Sequence, residues 1–146
     1  EGGLDVARGH NEVAPYVRRL TEAGIRVSLF IDPQPVQIAV AHALGAPVVE
    51  LHTGAYCEAA AAGDFARADT ELDALRRAAA EGAARGIEVH AGHGITFDTA
   101  RAVAAIPEIR ELNIGHFIIG EAIFIGLAEA VKRMKSAMLA ARGVDG

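Results

Sequence analysis

A chain of 146 residues with 51% hydrophobic and 23% charged side chains has the balance of one modest globular domain, without the polar bias of disorder. Its net charge of −5 and pI near 5.6 argue against nucleic acid or an anionic membrane as the main partner. Arg and Glu interrupt every apolar stretch before it reaches the roughly 18–20 residues that span a bilayer, and the single Cys57 has no internal disulfide partner, which fits a reducing cytosol. Nothing at the start resembles a signal peptide, and since the chain starts at Glu1 rather than Met, an upstream segment is expected to have been processed, cut or left out.

Hydrophobic period divides the chain into short apolar runs and longer amphipathic ones. Asn11 is the expected cap of a helix that turns Val13, Tyr16, Val17 and Leu20 to one side, with Pro15 in its first turn and Gly24 as its stop. Residues 25–31, apolar and β-branched and closed by Asp32-Pro33, read as a strand. A helix over 35–44 stops at Gly45, and 48–52 is the second strand. The stretch 53–63 reads as a long loop. The helix beyond it carries Phe65, Ala68, Leu72, Leu75 and Ala79 as an inward stripe, with Asp73/Arg77 and Glu81/Arg85 as surface pairs, and ends at Gly86. A third strand over 87–91, a helix near 97–105 stopped by Pro107, and a short strand over 112–114 follow. From about Phe117 a short helix leads into a longer one with Leu127, Val131, Met134 and Met138 inward.

Four strands between helices, with hardly any alternation inside the strands, describe a parallel sheet buried on both faces. There is no second domain and no low-complexity linker, and a weak internal period of roughly 30–40 residues fits repeated βα units. Two architectures remain open. One is a small open sheet of flavodoxin type; the other is about half of a (β/α)₈ TIM barrel, whose complete form needs roughly 250 residues.

The unusual residues gather at the C-terminal ends of the strands, where parallel α/β folds carry their sites. Glu50 and His52 are two apart and so share a face of the second strand. A carboxylate and an imidazole there suit a crevice; the plainer reading pairs Glu50 with an arginine and leaves His52 as a strand cap. His93 lies between Gly92 and Gly94, which let the backbone approach a ligand and expose the ring, a good place for a general acid or base. A simple turn histidine is the alternative. His90, three positions back, falls on the opposite face. Asn113-Ile114-Gly115-His116 runs directly into a helix, so Gly94 and Gly115 would be the close-approach residues of two phosphate loops at a helix N-terminus. Ordinary strand-to-helix turns look the same. Both lysines, Lys132 and Lys135, lie on the final helix, so no strand end carries a Schiff-base lysine.

Taken together, Glu1-Gly2-Gly3-Leu4-Asp5-Val6, Val27-Ser28-Leu29-Phe30-Ile31-Asp32, Glu50-Leu51-His52-Thr53-Gly54-Ala55-Tyr56, Ala91-Gly92-His93-Gly94 and Leu112-Asn113-Ile114-Gly115-His116 resemble, in order and spacing, the C-terminal half of the pyridoxine 5′-phosphate synthase family. The resemblance covers essentially the whole chain. It implies a single (β/α)₈ barrel domain of which residues 1–146 supply about the last four strands and five or more helices, assembled as a cytoplasmic homo-octamer. It implies a transferase-class enzyme of vitamin B6 biosynthesis that condenses 1-deoxy-D-xylulose 5-phosphate with 3-amino-2-oxopropyl phosphate to pyridoxine 5′-phosphate, inorganic phosphate and water. The imine amine comes from the second substrate, and no metal or organic cofactor is implied. By motif position, His93 resembles the family's proton-donating histidine and Glu50 its strand carboxylate that stabilises the transition state. Gly94 and the Gly115-His116 pair resemble substrate and phosphate contacts. The family's first three strands bring an asparagine, an aspartate–histidine pair, phosphate-binding arginines and two more proton acceptors, none of which is in this sequence.

Two other readings compete. An inert truncated half-barrel has the motifs without the activity, and a metal-dependent barrel hydrolase would use Glu50, His52, His93 and His116 as ligands at strand ends.

Overall fold

The computed structural model describes residues 2–144; Glu1, which opens the first motif above, lies outside the described residues. In chain order the elements are α1 (His10–Glu22), β1 (Ser28–Ile31), α2 (Pro35–Ala43), β2 (Val48–His52), α3 (Gly54–Ala61), α4 (Phe65–Ala84), β3 (Glu88–Gly92), α5 (Phe97–Ala104), β4 (Ile109–Asn113), α6 (His116–Ile125) and α7 (Leu127–Ala141). The four strands form one parallel sheet in sequential order, β1-β2-β3-β4. Each crossover runs through one or two helices, as parallel neighbours require. None of the described helices is long and apolar enough to cross a membrane.

The core lies on one face of this sheet. Leu29, Ile31, Val49, Leu51, Val89 and Ala91 are buried there with Ile38, Leu72, Leu75 and Val103 from the helices. The register sets Phe30 beside Glu50 and Glu50 beside His90, so the other face presents Phe30, Glu50, His52, Glu88, His90, Glu111 and Asn113, with Val48 as its one fully buried aliphatic side chain among them. Burial of both faces by apolar residues, the expectation from the strand sequences, is therefore corrected. The strands do alternate, and their polar positions fall together because the register keeps them in line. A row of polar side chains crosses this face at its lower end. Arg26 Nη2 lies 2.7 Å from Glu88 Oε2, Glu88 Oε1 lies 2.8 Å from His90 Nε2, and His90 Nδ1 lies 3.6 Å from Glu111 Oε1.

Several local expectations also change. Gly9, not Asn11, caps α1, which places Pro15 at the sixth helical position, past the turn whose N–H groups are free. Only Val17 of its stripe is buried, while Tyr16 and Leu20 are exposed. Ile25 lies outside β1 and is exposed. The expected loop over 53–63 contains α3, whose alanine-rich sequence favours helix once Gly54 has started it. Phe65 faces solvent, as do Leu127 and half-exposed Val131; Ala130 and Met134 carry the inner side of α7. Asp73 pairs with Arg76 at 2.7 Å rather than with Arg77, whereas the Glu81–Arg85 pair forms at 3.0 Å. β4 starts three residues earlier than the sequence suggests, because Ile109 is buried directly after the Pro107 turn.

Candidate functional site

Because all four strands run the same way, their C-terminal ends share one rim, and a cleft of about 690 Å³ opens there. Its walls include Glu50 from β2, His93 and Gly94 from the turn after β3, and Asn113, Gly115 and His116 around the end of β4. The structure thus brings together all five residues that the motifs single out: Glu50, His93, Gly94, Gly115 and His116. His52 stands behind His93 and is not part of the cleft wall.

The Glu50 carboxylate is held by a residue two strands away. Its Oε2 accepts a 2.7 Å hydrogen bond from Asn113 Nδ2. Between them lies Gly92 of β3, where a Cβ would collide with Glu50 Oε1 and would also sit 2.9 Å from the Asn113 carbonyl oxygen. Gly92 therefore makes room for the protein's own carboxylate. Asn113 was visible in the sequence only as part of a motif. Nothing marked it as the partner of Glu50, since the contact spans 63 positions.

His93 has φ +78°, the one positive value outside glycine among the described residues, and Gly94 follows at φ +76°. An L-residue in this region costs roughly 1–2 kcal/mol, so the surroundings must hold it. Thr53, fully buried, does so: its hydroxyl lies 2.7 Å from the Gly92 carbonyl and 2.5 Å from that of His93, and its N–H donates to the Gly92 carbonyl at 2.9 Å. Left-handed backbone also breaks the two-residue alternation, so counting back from His93 misplaces His90. His90 belongs to the polar face, in register with Glu50, and His93 returns toward the same face beside His52. Cys57 lies beneath this turn, its Cβ 3.2 Å from where a Gly94 Cβ would be. Burial pushes the Cys57 thiol above its ordinary pKa, which suits packing rather than nucleophilic attack.

On the far side of the cleft, α6 begins directly after Gly115 with no side chain capping its first turn. The first-turn N–H groups, which precede the first intrahelical bond from Ile119 to the Gly115 carbonyl, and the positive end of the helix dipole lie at this end of α6. Nothing lies within 4 Å of a Cβ built on Gly115, so this glycine keeps open space clear rather than relieving a clash. His116 is exposed beside it. Among the described residues no group of three or more His, Cys, Asp or Glu side chains is gathered closely enough to hold a metal ion.

The sequence profile of the family described as pyridoxal phosphate biosynthesis protein PdxJ matches residues 1–140. A pyridoxine 5′-phosphate synthase of Caulobacter vibrioides is 58% identical over 142 residues, which is 97% of this chain and 56% of that protein. One of Ruegeria pomeroyi is 56% identical over 142 residues, 97% of this chain and 57% of its own length. One of Xanthobacter autotrophicus is 54% identical over 146 residues, all of this chain and 57% of its own. The chain spans about half the length of the curated relatives it matches.

Proposed function

The chain belongs to the PdxJ family of pyridoxal phosphate biosynthesis proteins, and from that premise we propose that it forms the C-terminal half of a single-domain (β/α)₈ barrel, the complete protein being a pyridoxine 5′-phosphate synthase. β1–β4 are then the last four strands of the barrel, and the polar face of the sheet is its interior. The reaction is the condensation of 1-deoxy-D-xylulose 5-phosphate with 3-amino-2-oxopropyl phosphate, releasing phosphate and water and needing no metal or organic cofactor. The working form is a cytoplasmic homo-octamer. The missing half brings the remaining proton acceptors and phosphate-binding arginines, so this chain alone is inactive.

The observation that supports this reading most directly is the convergence of Glu50, His93, Gly94, Gly115 and His116 on one cleft at the strand ends. Ring closure expels hydroxyl groups as water and moves protons on and off carbon, which needs a positioned proton carrier. His93 fills that role, exposed to the cleft on a strained turn that fixes its direction. Glu50, oriented by Asn113, is the strand carboxylate that stabilises the transition state. The open first turn of α6, with Gly115 and His116, takes a phosphate group.

The test is His93→Asn in the complete protein. Asn keeps some hydrogen bonding but carries no proton in this pH range. The variant should fold and bind both substrates while turnover falls by roughly 10²–10⁴-fold, the usual contribution of a general acid or base. Single-turnover absorbance of the product ring is the measurement, and ring closure at near wild-type rate would remove His93 from the mechanism.

A further inference from the structure

We infer that His52 is a positioning residue for His93: tethered by Asp32, its ring fixes the orientation of the neighbouring imidazole in the cleft. The inference rests on the reading of His93 as proton carrier. The two rings lie 4.9 Å apart between centroids and are tilted by 47°. Phe30 closes the cluster, edge-on to His52 at 5.2 Å and tilted against His93 at 6.4 Å.

The His52 ring is confined at both of its nitrogen edges. Its Nδ1 lies 3.4 Å from Asp32 Oδ1, and the same oxygen accepts the Gly3 N–H at 3.1 Å. The Asp32 carboxylate thus borders the Nδ1 edge of the ring. Gly54 covers the other edge. A Cβ on Gly54 would stand 2.7 Å from His52 Nε2 and 3.2 Å from His93 Cδ2, so only glycine lets the start of α3 close over both rings.

Nε2 of His52 is buried and has no hydrogen-bond partner among the described residues. Burying a polar atom unpaired is unfavourable, and a phenyl or isobutyl group would fill the space without that loss. A histidine used for packing alone is therefore poorly explained. A second task is open to the ring, because the imidazole it packs against, His93, lines the cleft. Orientation matters at such a position, because a misplacement of about 1 Å costs a catalytic group about 10²-fold.

The experiment uses the complete protein with four variants: His52→Ala, His52→Phe, His93→Asn and the double variant His52→Ala with His93→Asn. His52→Ala should lower kcat about 10–100-fold with KM for both phosphorylated substrates within about twofold, since His52 touches His93 and not the cleft. His52→Phe keeps the ring volume, loses the Asp32 tether and should also lower kcat. It replaces the alanine variant in the cycle should the latter fail to fold. The double variant should turn over no more slowly than His93→Asn alone, because a residue acting through His93 has nothing left to position. Turnover of a folded His52 variant within about twofold of wild type, a rise in KM with kcat unchanged, or losses that multiply in the double variant would each overturn the inference. Failure of the underlying reading is separate: there, His93→Asn itself turns over at the wild-type rate.

Discussion

Glu50 on β2 and Asn113 on β4 are joined by a 2.7 Å hydrogen bond that passes over β3, at the one point where that strand has no side chain. The strand between them is bridged because Gly92 lies in register with Asn113 and leaves its space to the Glu50 carboxylate. Three residues from three strands thus act as one unit.

Gly92→Ala should break that unit. The added methyl meets Glu50 Oε1 and the Asn113 carbonyl, so either the carboxylate moves or the strands separate. In the complete protein the expected cost is about 1–3 kcal/mol of stability, the usual range for overpacking. Turnover should fall by more than this instability explains. Urea unfolding and single-turnover kinetics on the same preparation check both, and unchanged turnover in the folded variant would show that the Glu50 carboxylate does not need this position.

Gly115→Val places a branched side chain at the open first turn of α6. No protein atom lies within 4 Å of the new Cβ, so stability should change little. Affinity for inorganic phosphate and for phosphorylated substrate should fall instead, because the branched group occupies the space in front of the helix N–H groups. Calorimetric titration of the complete protein with phosphate is the measurement; normal binding to a folded variant would place the phosphate elsewhere.

The contacts of Glu88 on the polar face predict an acid limb in stability. The hydrogen bond from His90, and then that from Arg26, holds the Glu88 carboxyl below its ordinary pKa. A depressed folded-state pKa means that the contribution is present above the unfolded value and is lost as pH falls through the folded one. Replacing Glu88 with Gln should therefore reduce stability at neutral pH, and the gap from wild type should close as the solution is acidified below the ordinary carboxylate range. Urea midpoints across pH 3–7, a span of roughly that carboxylate titration, measure this. A gap that widens on acidification would contradict the sign.

Residues 1–146 expressed alone should associate or populate a loosely packed state. The sheet leaves β1 and β4 as edges. α6 has no buried residue among those described, with Ile123 79% and Phe124 84% exposed. These apolar helix positions and the edges drive association, not an apolar inner layer, since the uncovered sheet face is mostly polar. Unfolding followed at two protein concentrations decides. A sharp, reversible, concentration-independent transition from a monomer would contradict the expectation.

Much of the architecture is legible in the sequence itself. Runs such as Val48-Val49-Glu50-Leu51-His52 and the stripe of Ala68, Leu72, Leu75 and Ala79 set strand and helix by local period alone, and glycines at 24, 45 and 86 marked their ends. The strand-end motifs marked Glu50, His93, Gly94, Gly115 and His116, because residue type and position relative to a strand are local properties. What remained hidden depends on partners far apart in sequence. Thr53 tying down the His93 turn, Asp32 reaching His52, and Gly92 yielding to Glu50 join residues on neighbouring elements that no period relates. The left-handed backbone at His93 is of the same kind. Local sequence does not favour it there, so only the contacts assembled by the parallel register stabilise it, and only the tertiary structure could place the ring it carries.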